Sequence, residues 1–263
     1  MQGLEARVIP NHVHFSKAFA IGSGGKVEHF AGVTCIRNPI PEVESNAAYI
    51  TERTGAEDDV LAKVKDFFQG LQSEWMLVLP PSLVDVSWEI PKRVVVARWV
   101  RLPELVLPRE SASLRAPPSE LEICQVSNLD ELLAWARTNS VGFGDSPNFL
   151  DPFVRPESLE MRGISYYIGT FSGKHVATSL SCISDGVVGV YAVATIPEFR
   201  GRGFGSAMTA FAVKEGFSKG CDLATLQSGS MSTPVYLRMG FRYVFDSHCW
   251  VVSPTRLSPP SKG

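Results

Sequence analysis

The residues best suited to chemistry lie between Val193 and Ala207. Pro197 ends a β-rich run there, and Arg200, Gly201, Arg202, Gly203, Phe204, Gly205 and Ser206 follow without interruption. Three glycines alternating with larger residues permit positive φ and leave backbone N–H groups uncovered by side chains. At a helix N-terminus such groups and the helix dipole form an anion site suited to a pyrophosphate, and Arg200 and Arg202 add charge. The same run could be only a tight, packed turn, so its context must decide. A dinucleotide-binding loop needs G-x-G-x-x-G early in a parallel sheet, with a carboxylate roughly 20 residues later. Here the third glycine, Gly205, falls one place early and little chain follows, although Asp222 is a tempting ribose ligand. A second glycine run, Gly22 to Lys26, fails as a phosphate loop because Val27 stands where Ser or Thr is required. It reads as a turn.

Regular elements must hold the Val193–Ala207 segment in place. Leu121 to Val126 reads as a strand. Asn128 and Glu131 sit in capping-box positions before the helical face of Leu129, Leu132, Leu133 and Ala136. Tyr166–Phe171, Val176–Ile183 and Val187–Thr195 form a meander with turns at Ser172–Gly173 and Asp185–Gly186. After Gly205 comes a helix with Ala207, Met208 and Phe211 on one face and Gly220 as its stop. Leu223–Gln227 is a strand, Thr233–Met239 a helix, and Phe241–Phe245 with Cys249–Val252 closing strands. The order is β-α-β-β-β-α-β-α-β.

In that same order, two motifs resemble the GNAT superfamily of N-acetyltransferases. Arg200, Gly203 and Gly205 match the Arg/Gln-x-x-Gly-x-Gly/Ala loop between its fourth strand and third helix. Tyr236 to Phe241 resembles the Tyr-x-x-x-Gly-Phe signature of its last helix and turn. The resemblance covers Glu120 to Val252, and the phrase from Gly189 to Glu198 is similar to tandem members in which a degenerate half precedes an intact one. It implies an α/β (α+β) fold, a mixed and mostly antiparallel sheet flanked by helices, with two such domains in tandem. It also implies acetyl-CoA as cofactor, with Val193 and Ala194 supplying backbone contacts to pantetheine and the N–H groups from Arg200 to Ser206 receiving the pyrophosphate. Tyr236 would protonate the coenzyme A sulfur, unless it only packs the helix against the cofactor. Many relatives carry Asn or Ser seven residues before that Tyr; here Gly229 stands there, and the flanking Ser228 or Ser230 would have to substitute.

The N-terminal half is less legible. Val60, Leu61, Val64, Phe67, Phe68 and Leu71 form an amphipathic helix after Glu57, Asp58 and Asp59. Trp75–Leu79 and Val94–Val100 are strand candidates. The half resembles the degenerate partner loosely and lacks the Arg/Gln-x-x-Gly-x-Gly loop. The stretch from Leu107 to Ser119 has no periodicity, so the expected division is 1–108, a linker 109–119, an acetyl-CoA-binding domain 120–253, and a frayed tail 254–263.

Across 263 residues, 44% are hydrophobic and 20% charged, the balance of a soluble globular protein, and a net charge of −2 provides no field for nucleic acid or an anionic membrane. Met1 to Phe15 lacks the apolar core of a secretory signal and no run reaches membrane-spanning length, so cytoplasmic residence is expected. Cys35, Cys124, Cys182, Cys221 and Cys249 are scattered without a C-x-x-C pair; each reads as a small buried apolar residue, and no metal site is expected. The expected reaction is direct attack of a primary amine, on a small molecule or a peptide, upon the acetyl thioester. The alternative is a CoA-binding regulatory module that has lost catalysis. The general base is not identified: Glu198 reads as a solvated turn residue, Tyr191 as a candidate to point into the acceptor groove, Asp185 as a turn residue, no histidine clusters with a carboxylate in sequence, and a water relay stays open.

Overall fold

Among the residues described by the computed structural model (2–52, 57–84, 96–229 and 231–253), helix α1 (Gln2–Gly22) leads into β1 (Lys26–Phe30), β2 (Val33–Arg37) and β3 (Ala47–Ile50). Helix α2 (Glu57–Phe68), β4 (Trp75–Leu79) and β5 (Val96–Pro108) follow. The second half contains β6 (Leu121–Gln125), α3 (Leu129–Phe143), a short α4 (Pro156–Leu159), β7 (Ile164–Phe171), β8 (Lys174–Ser184) and β9 (Val187–Thr195). It ends with α5 (Phe204–Ser218), β10 (Leu223–Gln227), α6 (Thr233–Arg238) and β11 (Arg242–Val252). The predicted order of the second half is found, with α4 added and α5 beginning one residue before Gly205. The predicted frayed tail, and Val94 and Val95 of the predicted strand, lie outside the described residues.

All the described strands join one sheet in the order β1-β2-β3-β4-β11-β5-β10-β9-β8-β7-β6. Only β3–β4 and β9–β10 are parallel; every other neighbouring pair is antiparallel. The centre reads the same from both ends, because each half of the sequence inserts a strand into the other. Thus β5 lies between β10 and β11, and β11 lies between β4 and β5. Leu105, Val106 and Leu107 are consecutive and fully buried, the pattern of a strand covered on both faces. Each contributes roughly 1.5–3 kcal/mol of burial. The mixed sheet flanked by helices agrees with the predicted fold class.

Three sequence readings need correction. The closing strands are one strand: Asp246, Ser247 and His248 stay in the ladder opposite Pro103, Leu102 and Arg101. The polar Ser247 is tolerated at a buried position because its hydroxyl donates to Glu104. Helix α1 was not expected, since it carries Pro10 in its interior and the buried Asn11 and His12 break its apolar face. Cys124 is exposed on β6, an edge strand, whereas the other four cysteines are buried.

The capping box forms as predicted. Asn128 Oδ1 accepts from the Glu131 amide at 2.9 Å, and Glu131 accepts from the Ser127 amide at 2.7 Å. The Gly22–Lys26 run is a turn at the end of α1, with Gly24 at φ 78°.

Candidate functional site

Parallel pairing of β9 with β10 stops after three residues, Val187 to Gly189. Among the described residues, the β10-facing edge of β9 has no strand partner beyond Gly189, which leaves main-chain groups for an extended ligand to pair with. On its other side β9 bulges against β8 between the Thr178/Ala194 and Leu180/Tyr191 pairs, where Ala192 adopts φ 51°. The Ala192 carbonyl accepts from Asn139 Nδ2 at 2.9 Å and from Thr178 Oγ1 at 3.1 Å, so α3 and β8 pin the bulge. Val193 lines the cavity at this point. Ala194, expected beside it, is buried under Gly142 of α3.

Directly after β9, Gly201 and Gly203 adopt φ 78° and 80°, and α5 starts at Phe204 with no side-chain cap. A Cβ at either glycine would meet nothing within 4 Å. The first-turn amides of Phe204, Gly205 and Ser206 have no intrahelical acceptor, as in any helix, while the Phe204 ring is in the core. The arginines are placed differently from a simple charge pair at the loop. Arg200 donates to the Gly142 carbonyl at 2.8 Å and the Thr195 carbonyl at 3.1 Å, tying the loop to the C-terminal end of α3. Arg202 lies over the rings of Phe171 and Phe199 at 5.4 and 5.3 Å.

Tyr236 stands on α6 at the cavity wall, 9% exposed, its ring edge-on to Phe241. Burial raises its phenol above the ordinary tyrosine range, partly offset by the nearby Thr209 hydroxyl of α5. It is therefore a protonated hydroxyl at neutral pH. Ser228 also lines the cavity, but its hydroxyl pairs with Thr233 at 2.7 Å and its amide donates to Pro103. Ser230 lies outside the described residues.

The cavity, about 600 Å³, continues from Tyr236, Val193 and Ser228 into the first half of the sequence. There α1 contributes His12, Phe15 and Phe19, the segment before β3 contributes Glu42 and Glu44, and β4 contributes Met76 and Val78. Desolvation raises both carboxyls, and at Glu42 the charge of Glu44 adds to it. Glu198 and Asp185 are exposed in turns, as the sequence suggested, and do not line this space.

Tyr191 does point into the cavity, stacked on Phe15 at 3.8 Å between ring centroids. Its hydroxyl donates to Asn11 Oδ1 at 2.8 Å and lies 2.9 Å from His12 Nδ1. His12 Nε2 is 2.7 Å from Glu104 Oε2, with both side chains buried. His12 and Glu104 are 92 positions apart, so no local sequence pattern could join them. A lone Glu in the otherwise apolar stretch from Leu102 to Pro108 was the available signal. Among the described residues, no group of three His, Cys, Asp or Glu side chains could hold a metal ion.

A parallel pair that parts at its end, a glycine loop entering a helix, and a buried phenol at the cavity wall make up the candidate site. The model of the Acetyltransferase (GNAT) family matches residues 128–241, which include both motifs. Residues 128–241 are thus a GNAT-type segment within the chain. No curated protein matches it. Among solved structures it is similar to a GCN5-related N-acetyltransferase from Kribbella flavida, with TM-score 0.66 and 19% identity over 92% of this chain and 95% of that one. It is also similar to a GCN5-related N-acetyltransferase from Sphaerobacter thermophilus, with TM-score 0.58 and 14% identity over 86% and 82%. A tandem GNAT protein from the clavulanic acid biosynthesis pathway gives TM-score 0.59 and 11% identity over 88% and 79%. At these identities the likenesses establish the fold.

Proposed function

We propose that the chain transfers an acetyl group from acetyl-CoA to a primary amine by direct attack. The observation that carries this is the unpaired edge of β9, which opens between the glycine loop and Tyr236 into a cavity walled by both halves. The residues fit the cofactor. The edge from Val190 to Thr195 offers main-chain partners to a pantetheine amide, and the amides from Gly201 to Ser206 offer donors to a pyrophosphate. Phe143 and Met231, 61% and 93% exposed at the cavity, offer apolar cover. When bound, acetyl-CoA supplies the activated acyl carbon.

The protein's own groups divide the remaining work. Tyr236 holds the proton that the leaving sulfur takes. Glu42 and Glu44 provide negative charge that attracts an ammonium group, and Phe15, Phe19 and Tyr191 form an aromatic wall for its body. The acceptor read from this lining is a cationic amine with an apolar portion. Cavity walls from α1, β3 and β4 give the N-terminal half the role of acceptor platform.

Thermal unfolding tests the reading. Acetyl-CoA raises the melting temperature, by the equivalent of about 2.7 kcal/mol at a hundred times its Kd, whereas NAD and ATP do not. Absence of a shift at saturating acetyl-CoA rejects the proposal. A shift with no acetylation of any primary amine in a broad panel favours a CoA-binding module without catalysis.

A further inference from the structure

We propose that Tyr191, His12 and Glu104 form a relay that takes the proton lost by the acceptor amine. This rests on the acyl-transfer reading above and supplies the base that reading lacks. Glu104 is fully buried, and both its oxygens are engaged. Ser247 Oγ donates to Oε1 at 2.6 Å, Gln227 Nε2 donates to Oε1 at 2.7 Å, and His12 Nε2 lies 2.7 Å from Oε2. A carboxylate held this way, out of water, provides the counter-charge for an imidazolium beside it.

The outer end of the chain is built to switch. Asn11 Nδ2 donates to the Cys182 and Val187 carbonyls and to Ser184 Oγ, which fixes Asn11 Oδ1 toward Tyr191. The Tyr191 hydroxyl therefore has two acceptors within reach, Asn11 Oδ1 and His12 Nδ1. With His12 charged, Nδ1–H donates to Tyr191 and Tyr191 donates to Asn11. With His12 neutral, Tyr191 donates to Nδ1, and its oxygen is free to accept from an ammonium in the cavity. The other titratable groups facing this network are Tyr49 of β3, Cys182 of β8, Cys249 of β11 and Glu44 before β3. Burial pushes both thiols up to about 12 and raises Tyr49 as well, so these three stay neutral and Glu104 is the carboxylate in contact with His12.

The step balances. An ammonium N–H proton passes to Tyr191 Oη as the Tyr191 hydroxyl proton passes to His12 Nδ1. The freed nitrogen pair forms the C–N bond to the acyl carbon, and the C–S bond breaks with its electron pair leaving on sulfur. That sulfur takes the proton of Tyr236, and Tyr236 is restored by the second proton leaving the nitrogen. One proton per turnover remains on His12 and is returned to solvent.

The test uses the full chain, acetyl-CoA, and 2-phenylethylamine or spermidine as probe amines, with thiol release as readout. His12→Gln and Tyr191→Phe each lower kcat about 10²-fold, the scale of general-base catalysis, and leave the KM for acetyl-CoA unchanged. The double variant loses no more than either single one, as expected for groups that act as a unit. The acid limb of the wild-type pH profile disappears in His12→Gln. Additive losses, or a surviving acid limb, overturn the relay and leave the transfer reading intact. No acetylation of these amines or of any primary amine in the broad panel rejects the amine-transfer reading and the relay with it. Independently of turnover, ¹⁵N NMR of the His12 ring should show Nδ1 moved by Tyr191→Phe and Nε2 moved by Glu104→Gln. Ring nitrogens insensitive to both substitutions overturn the relay.

Discussion

Gly189 lies directly beneath Tyr191 on the same face of β9. A Cβ at position 189 would stand 2.5 Å from Tyr191 Cε2, 2.7 Å from its hydroxyl and 2.1 Å from Asn11 Oδ1. The absent side chain at Gly189 is what allows Tyr191 to fold back toward α1. Gly189→Ala should displace both partners and destabilise the chain by about 1–3 kcal/mol, the usual cost of overpacking. Amine acetylation should fall while acetyl-CoA binding persists, because the glycine loop is not involved. Denaturant unfolding and calorimetric titration of the cofactor measure the two effects separately.

Gly203 is the N-cap of α5 at φ 80°, a backbone region that costs a residue with a Cβ about 1–2 kcal/mol. Because no atom lies within 4 Å of the added Cβ, Gly203→Ala isolates the backbone effect from steric contact. The expected result is weaker acetyl-CoA binding with little change in the acceptor KM. Equal affinity in both proteins would argue against the loop as the pyrophosphate cradle.

Tyr236 is a protonated phenol at neutral pH, and burial raises it further above the ordinary tyrosine range. Tyr236→Phe preserves the ring packing against Phe241 and removes only the donor. The kcat should drop about 10²-fold with the melting temperature nearly unchanged. A variant with full kcat would reduce Tyr236 to a packing residue.

Asp222, which the sequence offered as a ribose ligand, instead forms a bidentate ion pair with Arg7, joining β10 to α1. The hydrogen bond from Arg7 lowers its carboxyl below the ordinary 3.8. A depressed folded-state value means that this stabilisation is present above the unfolded pKa and is lost as pH falls through the depressed one. Both side chains are solvent-accessible, so the effect is at most about 1 kcal/mol. Arg7→Ala should lower stability at pH 7 by that amount and converge with the wild type in strong acid, as followed by urea unfolding across pH.

The first half resisted a sequence reading for a physical reason. In α1 the face turned inward carries Asn11 and His12 as well as Val8 and Ile9, so the apolar periodicity that reveals a helix is broken by the residues that form the polar network. The meander from Ile164 to Thr195 was legible because its strands follow closely and their turns are marked by Gly173 and Gly186. Strand β5 ends at Pro108, where the sequence loses its periodicity. Sequence order, however, cannot tell that β5 pairs with β10 and β11 of the other half.

By itself the sequence determined the strand and helix order of the second half, the glycine loop from Arg200 to Gly205, and the placement of Tyr236 after it. These depend on neighbours within a few residues, where backbone permissiveness and local hydrogen bonding dominate. Only the tertiary structure decided what faces Tyr236 across the cavity. It sent the guanidinium of Arg200 to the end of α3, and it brought His12, Glu104 and Tyr191 together from α1, β5 and β9. That assembly depends on the exchange of β5 and β11 within one continuous sheet, a pairing set by the burial of whole strands against one another.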